Sequence, residues 1–202
     1  MNIGPMQAGD VDEVVELHMC HLTTRLVGKP GRALLRRYYS YLIDSPFGFC
    51  LVCHQDPDPA VLGVVVLRWD AQRVFWELFK QAPVQVSILF AWHVLCRPAS
   101  LYRFFRLMWE RRPAKELLAN LTGHPRWCLL HALVVRDPGG GVGTRLVQML
   151  LQEARNRGFQ YIITSTFEGN AANHVYEKVG FSLLMVTAEG QQRVNWYGLP
   201  LT

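Results

Sequence analysis

The chain has 202 residues, of which 50% are hydrophobic and 18% are charged, so it can bury a core within one domain and does not have the composition of a disordered chain. Its formal net charge of +5 favours acidic partners, such as an anionic cofactor or a membrane surface. Acidic residues appear early and no basic stretch precedes an apolar run, so we expect no secretory signal and a cytoplasmic location.

The first third of the chain predicts a strand, two helices and a hairpin. Asp10 and Glu13 are spaced like a capping box at the start of a helix. The second helix should end before Ser45 and Pro46, because proline cannot continue it. The predicted elements are a strand at Ile3–Met6, helices at Asp10–His21 and Gly31–Asp44, and strands at Phe49–His54 and Val61–Asp70.

Five cysteines are scattered along the chain, at Cys20, Cys50, Cys53, Cys96 and Cys128. Cys50 and Cys53 lie in an apolar, strand-like run, and no second pair completes a zinc site. An odd number of cysteines without a secretory signal favours free thiols. We therefore predict that all five are reduced and mostly structural, and that the chain holds no metal.

About fifty residues, 72–121, follow the third predicted strand and predict a helical segment. Val84–Cys96 is almost wholly apolar but shorter than the roughly 20 residues that span a bilayer. Residues 101–112 combine aromatic and basic side chains in a helical pattern. Three interpretations remain open: a helical hairpin packed on the sheet, a wall of a substrate pocket, and a segment lying on anionic lipid through the arginines of 97–112. No nucleic acid partner is expected, because no base-stacking module is evident.

A glycine turn is the most informative local feature. The apolar run Cys128–Val135 predicts a strand, the turn Gly139–Thr144 comes next, and a helical pattern then runs to Gly158. Residues without a Cβ let backbone N–H groups converge on a phosphate, and a helix N-terminus adds unpaired donors. A Walker A loop would need a lysine after its last glycine, and a dinucleotide fingerprint would need glycine at Thr144. We therefore predict another kind of phosphate or pyrophosphate site, with a flexible connection as the alternative.

The rest of the chain predicts a strand at Tyr161–Thr164, a helix at Asn170–Val179, and strands at Phe181–Thr187 and Arg193–Leu199. Together, Leu130–Val135, Gly141–Leu146 and Val175–Phe181 resemble the signature of the GNAT superfamily of acyl-CoA-dependent N-acetyltransferases. The resemblance implies one domain, 1–202, of mixed α/β class. It also implies a central mixed, mostly antiparallel sheet flanked by helices, with the helical segment 72–121 inserted after the third strand.

The resemblance further implies that the chain binds acetyl-CoA or another acyl-CoA. The residues assigned to the cofactor are the main chain of Leu133, Val134 and Val135, the turn Pro138, Gly139, Gly140, Gly141, Val142, Gly143 and Thr144, and the side chains of Asn170, Asn173 and Tyr176. Pro138 stands where the family has Gln or Arg, so Arg136 and Arg145 are candidates for the missing positive charge. Gly169 stands where the family has Asn, with Asn170 and Asn173 displaced from that position.

Tyr176 occupies the position of the family's general acid and would protonate the departing thiolate. A phenol with a pKa near 10 is a weaker acid than a thiol near 8.5, which makes this transfer roughly 2 kcal/mol uphill. Amide formation can supply that energy. The alternative for Tyr176 is an aromatic ring that only packs under the sheet.

Two residues are candidate general bases for an acceptor amine. His131 is expected to share one strand face with Leu133 and Val135 and to look into the cleft, the alternative being a half-buried histidine. Glu168, just beyond the next strand, is the second candidate, the alternative being a surface charge.

The acceptor side is predicted more loosely. His18, His21 and Thr24 resemble the acceptor-side wall of the family, with an ordinary helix end as the alternative, and the segment from His21 to Tyr39 loosely resembles a bacterial subgroup associated with surface-glycan pathways. The predicted function is transfer of an acetyl group from acetyl-CoA to a primary amine of a small molecule, such as an amino sugar or glycan precursor, by a monomer or homodimer. The alternatives are transfer of a longer acyl chain from acyl-CoA or an acyl carrier protein, and a non-catalytic acyl-CoA-binding module.

Overall fold

A seven-stranded sheet with helices on both faces organises the described part of the chain. The structure is a computed structural model, and it describes residues 1–21, 29–57, 60–81, 83, 87, 126–189 and 192–201. The strands are β1 Asn2–Pro5, β2 Gly48–His54, β3 Val61–Arg68, β4 Trp127–Val135, β5 Tyr161–Phe167, β6 Ser182–Glu189 and β7 Gln192–Pro200. The helices are α1 Val11–His21, α2 Lys29–Ile43, α3 Ala71–Gln81, α4 Val142–Asn156 and α5 Ala172–Lys178, with a 3-10 turn at Ala8–Asp10.

The strands lie in the order β1-β2-β3-β4-β5-β7-β6. Every neighbouring pair is antiparallel except β4 and β5, which run parallel. The predicted class, a mixed and mostly antiparallel sheet flanked by helices, is therefore confirmed. One local detail is wrong: Asp10 accepts a hydrogen bond from the Gln7 N–H at 2.7 Å, whereas Glu13 accepts one from the Val61 N–H at 2.6 Å. The capping interaction therefore lies one turn earlier than predicted.

Two apolar layers hold the sheet. Buried residues of α4 and α5 form one cluster against one face, and buried residues of α1 and α2 form another against the opposite face. β2 and β3 are buried along nearly their whole length, because both faces are covered. Cys50 and Cys53 belong to different clusters, so their side chains point to opposite faces of β2.

The predicted insertion begins with α3. Asp70 accepts a hydrogen bond from the Arg73 N–H at 2.9 Å, and the Arg73 guanidinium lies 5.3 Å from the ring centre of Phe47. Apart from α3 and positions 83 and 87, residues 72–121 lie outside the described residues, so the three interpretations of this segment stay predictions. In the described ranges, no helix is both long and apolar enough to cross a bilayer.

Candidate active site

A fork between β4 and β5 forms the centre of the site. Trp127–Leu130 pairs with Tyr161–Thr164, and Leu130 with Thr164 is the last pair. Beyond that pair, β4 continues along β3 and β5 continues along β7. The two parallel strands therefore separate towards their carboxyl ends, and we call the gap between them the fork.

A β-bulge at His131 lies beside the base of the fork. Val66 pairs with Ala132 and Leu67 pairs with Leu130, so His131 has no partner position in β3. In a regular strand, Leu130 and Ala132 would lie on the same face. Because of the bulge, Leu130 packs against the α4 layer, whereas Ala132 packs against the α1 and α2 layer.

The bulge corrects the prediction that His131 shares a face with Leu133 and Val135. Those two residues pack against the α4 layer. His131 is exposed, and its ring lies edge-on to Tyr38 of α2, with 6.1 Å between the ring centres. The candidate base therefore lies on the face of the sheet opposite to α4.

Main-chain groups of β4 point into the fork. Arg136 donates its N–H to the Leu62 carbonyl at 2.8 Å, and the direction of these groups alternates along a strand. The N–H and C=O of Leu133 and Val135 consequently point away from β3 and into the fork, whereas those of Val134 face β3. Leu133 and Val135 are thus the residues able to offer main-chain bonds to a pantetheine arm.

The glycine turn is an open cradle at the start of α4. Gly139 and Gly141 have positive φ angles of 100° and 77°, which side chains with a Cβ rarely adopt. A Cβ added at Gly139, Gly140 or Gly141 would meet no atom within 4 Å. The first helical bond runs from the Arg145 N–H to the Gly141 carbonyl at 3.1 Å, so the N–H groups of 142–144 have no acceptor within the helix. The cradle therefore fits a diphosphate.

The two arginines near the cradle are turned towards the other half of the sheet. Arg136 donates from Nε to the Val61 carbonyl at 3.0 Å and lies 3.8 Å from the Glu13 carboxylate. Arg145 is exposed, and its Nη1 lies 3.9 Å from the Met1 sulfur. To supply positive charge to the cradle, as predicted, the side chain of Arg136 or Arg145 would have to reorient.

Tyr176 reaches the base of the fork from the α4 face. Its ring packs 5.6 Å from that of Phe181 and 5.8 Å from that of Tyr197, and the residue is only 3% exposed. It lies beside Thr164, whose hydroxyl donates to the Leu130 carbonyl at 3.1 Å. Burial raises the pKa of Tyr176 to about 12. Tyr176 is therefore both a packed ring and a protonated hydroxyl at the fork.

Asn173 uses its whole side-chain amide inside the protein. Its Nδ2 donates to the carbonyls of Phe167 at 2.9 Å and Asn170 at 2.7 Å. Its Oδ1 accepts from Asn195 at 3.1 Å and Tyr197 at 3.0 Å. A cofactor contact through this amide would have to displace one of these bonds, so the structure gives Asn173 the role of fixing the start of α5.

The remaining predicted residues lie at the surface. Asn170 is exposed, and its Oδ1 accepts a hydrogen bond from the Ala172 N–H at 2.9 Å. Glu168 is exposed and lies 3.3 Å from the Arg193 guanidinium. Glu168 is therefore an ion-paired surface charge, the alternative given for it above, whereas His131 lies beside the base of the fork. Pro138 is exposed at the head of the glycine turn.

The predicted acceptor wall is partly a core feature. His18 is buried, and its Nδ1 lies 2.7 Å from the Tyr39 hydroxyl. Burial lowers the pKa of His18 to about 4 and raises that of Tyr39 well above its usual value, so both groups are neutral and the Tyr39 O–H donates its hydrogen bond to Nδ1 of the imidazole. His21 is exposed at the end of α1, and Thr24 lies outside the described residues.

His18 should make folding stability depend on pH. Its pKa is lower in the folded chain than in the unfolded one, so the unfolded chain gains a proton first as the pH falls. The contribution of His18 to folding stability is fully present above about pH 6.5 and is lost as the pH falls towards 4. We expect the free energy of unfolding to fall by about 2 kcal/mol between pH 7 and pH 4.5 because of this residue.

Urea titrations at the two pH values test this expectation. His18→Gln should reduce the difference between them by about 2 kcal/mol, whatever its effect at neutral pH. His174→Gln, at an exposed position of α5, is the matched control and should leave the difference unchanged. An equal difference in the wild type and His18→Gln would contradict the assignment.

Sequence reasoning missed Thr164 and Tyr38 as site residues. Thr164 follows the apolar Ile162 and Ile163 at the end of the predicted strand, and a hydroxyl in so apolar a strand was the available signal. Tyr38 lies beside His131 only because α2 crosses the bulge, and no local pattern indicates that contact.

The comparisons with known proteins agree with this geometry. Residues 117–181, less than half of the chain, match the family model described as the acetyltransferase (GNAT) family. This range includes the strand β4, the glycine turn, the strand β5 and the helix α5. A search of curated protein sequences finds no match.

Solved structures of similar fold cover nearly the whole chain. A polyamine N-acetyltransferase of Drosophila melanogaster has a TM-score of 0.63 at 15% identity, over 98% of this chain and 100% of that one. The ribosomal-protein-S18-alanine N-acetyltransferase of Escherichia coli has a TM-score of 0.58 at 11% identity, over 100% of this chain and 94% of that one. A Salmonella typhimurium protein assigned as an acetyltransferase, solved with its cofactor acetyl-CoA, has a TM-score of 0.59 at 14% identity, over 100% of this chain and 94% of that one. The fold is therefore the GNAT fold, and with the family match it supports an acyl-CoA-dependent acyltransferase.

Proposed function

We propose that this chain, which has the GNAT fold and matches the family model over residues 117–181, transfers an acetyl group from acetyl-CoA to a primary amine of a small molecule. The observation that carries the proposal is the fork, with the open glycine turn at its carboxyl end and the hydroxyl of Tyr176 at its base. This arrangement supplies a diphosphate cradle, main-chain bonding groups and a proton in sequence along one cleft.

The residues would hold the acyl donor as follows. The N–H groups of 139–144 bind the diphosphate, and the main chain of Leu133 and Val135 binds the pantetheine arm. An N–H in the fork stabilises the negative charge that builds on the thioester oxygen during attack. Tyr176 gives the proton of its hydroxyl to the sulfur as it leaves. When bound, acetyl-CoA supplies the activated acetyl group.

The two faces of the sheet separate donor from acceptor. Tyr176 and the glycine turn belong to the α4 face, whereas His131 contacts Tyr38 on the α2 face. An amine with a pKa of 8 to 10 is mostly protonated at pH 7, and neutralising it costs about 1.4 kcal/mol per unit. We assign His131 the role of accepting that proton from the α2 side.

A thiol-release assay tests the proposal. The purified chain is mixed with acetyl-, octanoyl- or palmitoyl-CoA and with an amino sugar, a polyamine or a peptide α-amine, and free thiol is followed. We expect release with acetyl-CoA and a small amine. Release only with the longer donors would favour a longer-chain acyltransferase, and coenzyme A binding without release would favour a binding module. Absence of any heat of coenzyme A binding in calorimetry would refute the proposal.

A further inference from the structure

The bulge places the side chain of His131 outside the regular pairing of β4. His131 has no partner position in β3, and it directly follows Leu130, the last residue of β4 that pairs with β5. The residue is exposed, and an exposed side chain can occupy several rotamers. Proton transfer requires a defined geometry. A base at this place therefore depends on neighbouring side chains that fix its ring.

Tyr38 of α2 is such a neighbour. The ring centres of Tyr38 and His131 lie 6.1 Å apart, at an interplanar angle of 76°. Aromatic rings attract each other in this edge-on arrangement, at centre separations of about 4.5 to 7 Å. The contact therefore favours one orientation of the exposed imidazole, at the point where β4 and β5 separate.

The ring of Tyr38 is itself supported by the core. It lies edge-on to Tyr39, with 5.3 Å between the ring centres, and Tyr39 is fully buried. Tyr39 in turn lies edge-on to His18 at 5.7 Å and forms the hydrogen bond with its Nδ1 at 2.7 Å. A line of four rings thus runs from the buried side of α1 to the base of the fork.

The ring of Tyr38, and not its hydroxyl, is the part that the structure connects to His131. The hydroxyl oxygen is buried and has no hydrogen-bond partner among the described residues. Burial raises the pKa of Tyr38 above its usual range, although the positive charge of Arg68 opposes this shift. The phenol is therefore neutral at physiological pH. Removal of a hydroxyl without a partner should cost little.

We propose that Tyr38 is a positioning residue for acyl transfer, whose ring holds the imidazole of His131 at the base of the fork, where it takes a proton from the acceptor amine. The inference rests on the proposed function. In this step an N–H bond of the ammonium group breaks, an N–H bond forms on the imidazole, and the positive charge passes to His131. The lone pair of the amine then attacks the thioester carbon. The nitrogen afterwards loses a second proton, which balances the one that Tyr176 gives to sulfur, and His131 returns its proton to solvent.

Two substitutions at this position separate the ring from the hydroxyl. Tyr38→Leu removes the ring, and we expect kcat to fall about 10- to 100-fold because the base is no longer held in place. The KM for acetyl-CoA and the Kd for coenzyme A should change less than about twofold, since the donor binds on the α4 face. Tyr38→Phe keeps the ring and should keep kcat within about twofold. Tyr38→Met gives the same comparison as the leucine variant if leucine is not accommodated.

Tyr41→Leu is the matched control. Tyr41 lies one turn further along α2, packs against the same apolar layer, and also has a buried hydroxyl without a partner among the described residues. The ring contact with His131 belongs to Tyr38. Tyr41→Leu should therefore lower the temperature of unfolding about as much as Tyr38→Leu, but it should keep the kcat of the wild type.

Proton NMR adds a readout that does not require activity. An aromatic ring shifts the resonances of protons beside it, so the imidazole C–H resonances of His131 should move in Tyr38→Leu. They should stay nearly in place in Tyr38→Phe and Tyr41→Leu. His131→Gln identifies these resonances among those of the seven histidines.

A double-mutant cycle connects the contact to catalysis. Tyr38→Leu in a His131→Gln background should lower kcat little further, because both changes remove the same function. The positioning role alone would be overturned by wild-type kcat in Tyr38→Leu, by an equal loss in Tyr38→Phe, by unmoved His131 resonances, or by a loss that adds fully to that of His131→Gln. Wild-type kcat in His131→Gln would remove the base and this inference, but not acyl transfer. If the wild-type chain releases no thiol with any donor and amine, the proposed function fails and the inference fails with it.

Discussion

Gly140→Asp should weaken coenzyme A binding by about 10- to 100-fold at low salt, because a carboxylate in the cradle repels the diphosphate by roughly 1 to 3 kcal/mol. The substitution should not harm folding. Gly140 lacks a positive φ angle, and a Cβ there meets no atom within 4 Å. An acidic residue just before α4 also favours the helix dipole. Calorimetric titration with coenzyme A and thermal unfolding measure the two effects.

The controls for Gly140→Asp test its electrostatic origin. Gly9→Asp is matched, since Gly9 also lacks a positive φ and a Cβ there meets nothing within 4 Å, and it should bind coenzyme A like the wild type. The loss at Gly140 should shrink as ionic strength rises. S-acetyl-pantetheine lacks the diphosphate, so the variant and the wild type should use it as an acetyl donor at equal rates. Unchanged affinity for coenzyme A in Gly140→Asp would place the diphosphate elsewhere.

The sequence predicted the features that local patterns determine. The glycine turn, the strands and the position of Tyr176 each depend on residues close together in the chain, and the structure places the turn and the helix as predicted. β5 extends to Phe167, beyond the predicted end at Thr164, because β7 pairs with it that far. Pairing with a distant strand leaves no signal in a short window.

The features that sequence reasoning missed depend on register. The bulge at His131 changes which face each residue of β4 occupies, and strict alternation cannot anticipate one inserted residue. The same limit explains Asn173, whose partners Asn195 and Tyr197 belong to β7. The fork itself exists because β4 follows β3 while β5 follows β7, which is a property of the whole sheet.

Tyr176→Phe should lower kcat by about 100- to 10,000-fold, the usual contribution of a general acid, while the Kd for coenzyme A changes less than about twofold. The pKa of about 12 makes Tyr176 a weaker acid than a thiol near 8.5, so proton transfer is about 5 kcal/mol uphill in the free protein. This exceeds the 2 kcal/mol expected for an unperturbed phenol. Part of that cost must be offset at the fork by the negative charge on the leaving sulfur, which attracts the proton.

The raised pKa of Tyr176 also determines how the kcat of the wild type should depend on pH. With a pKa of about 12, Tyr176 keeps its proton through the neutral and mildly alkaline range, so wild-type kcat should rise with pH as the amine loses its proton, with no decline from Tyr176 below about pH 11. Tyr161→Phe, at the other end of β5 from the fork, is the matched control and should retain wild-type kcat. Equal losses of kcat and coenzyme A affinity in Tyr176→Phe would mean that the phenol binds the donor rather than protonating it, since a group used only in the transition state lowers kcat alone.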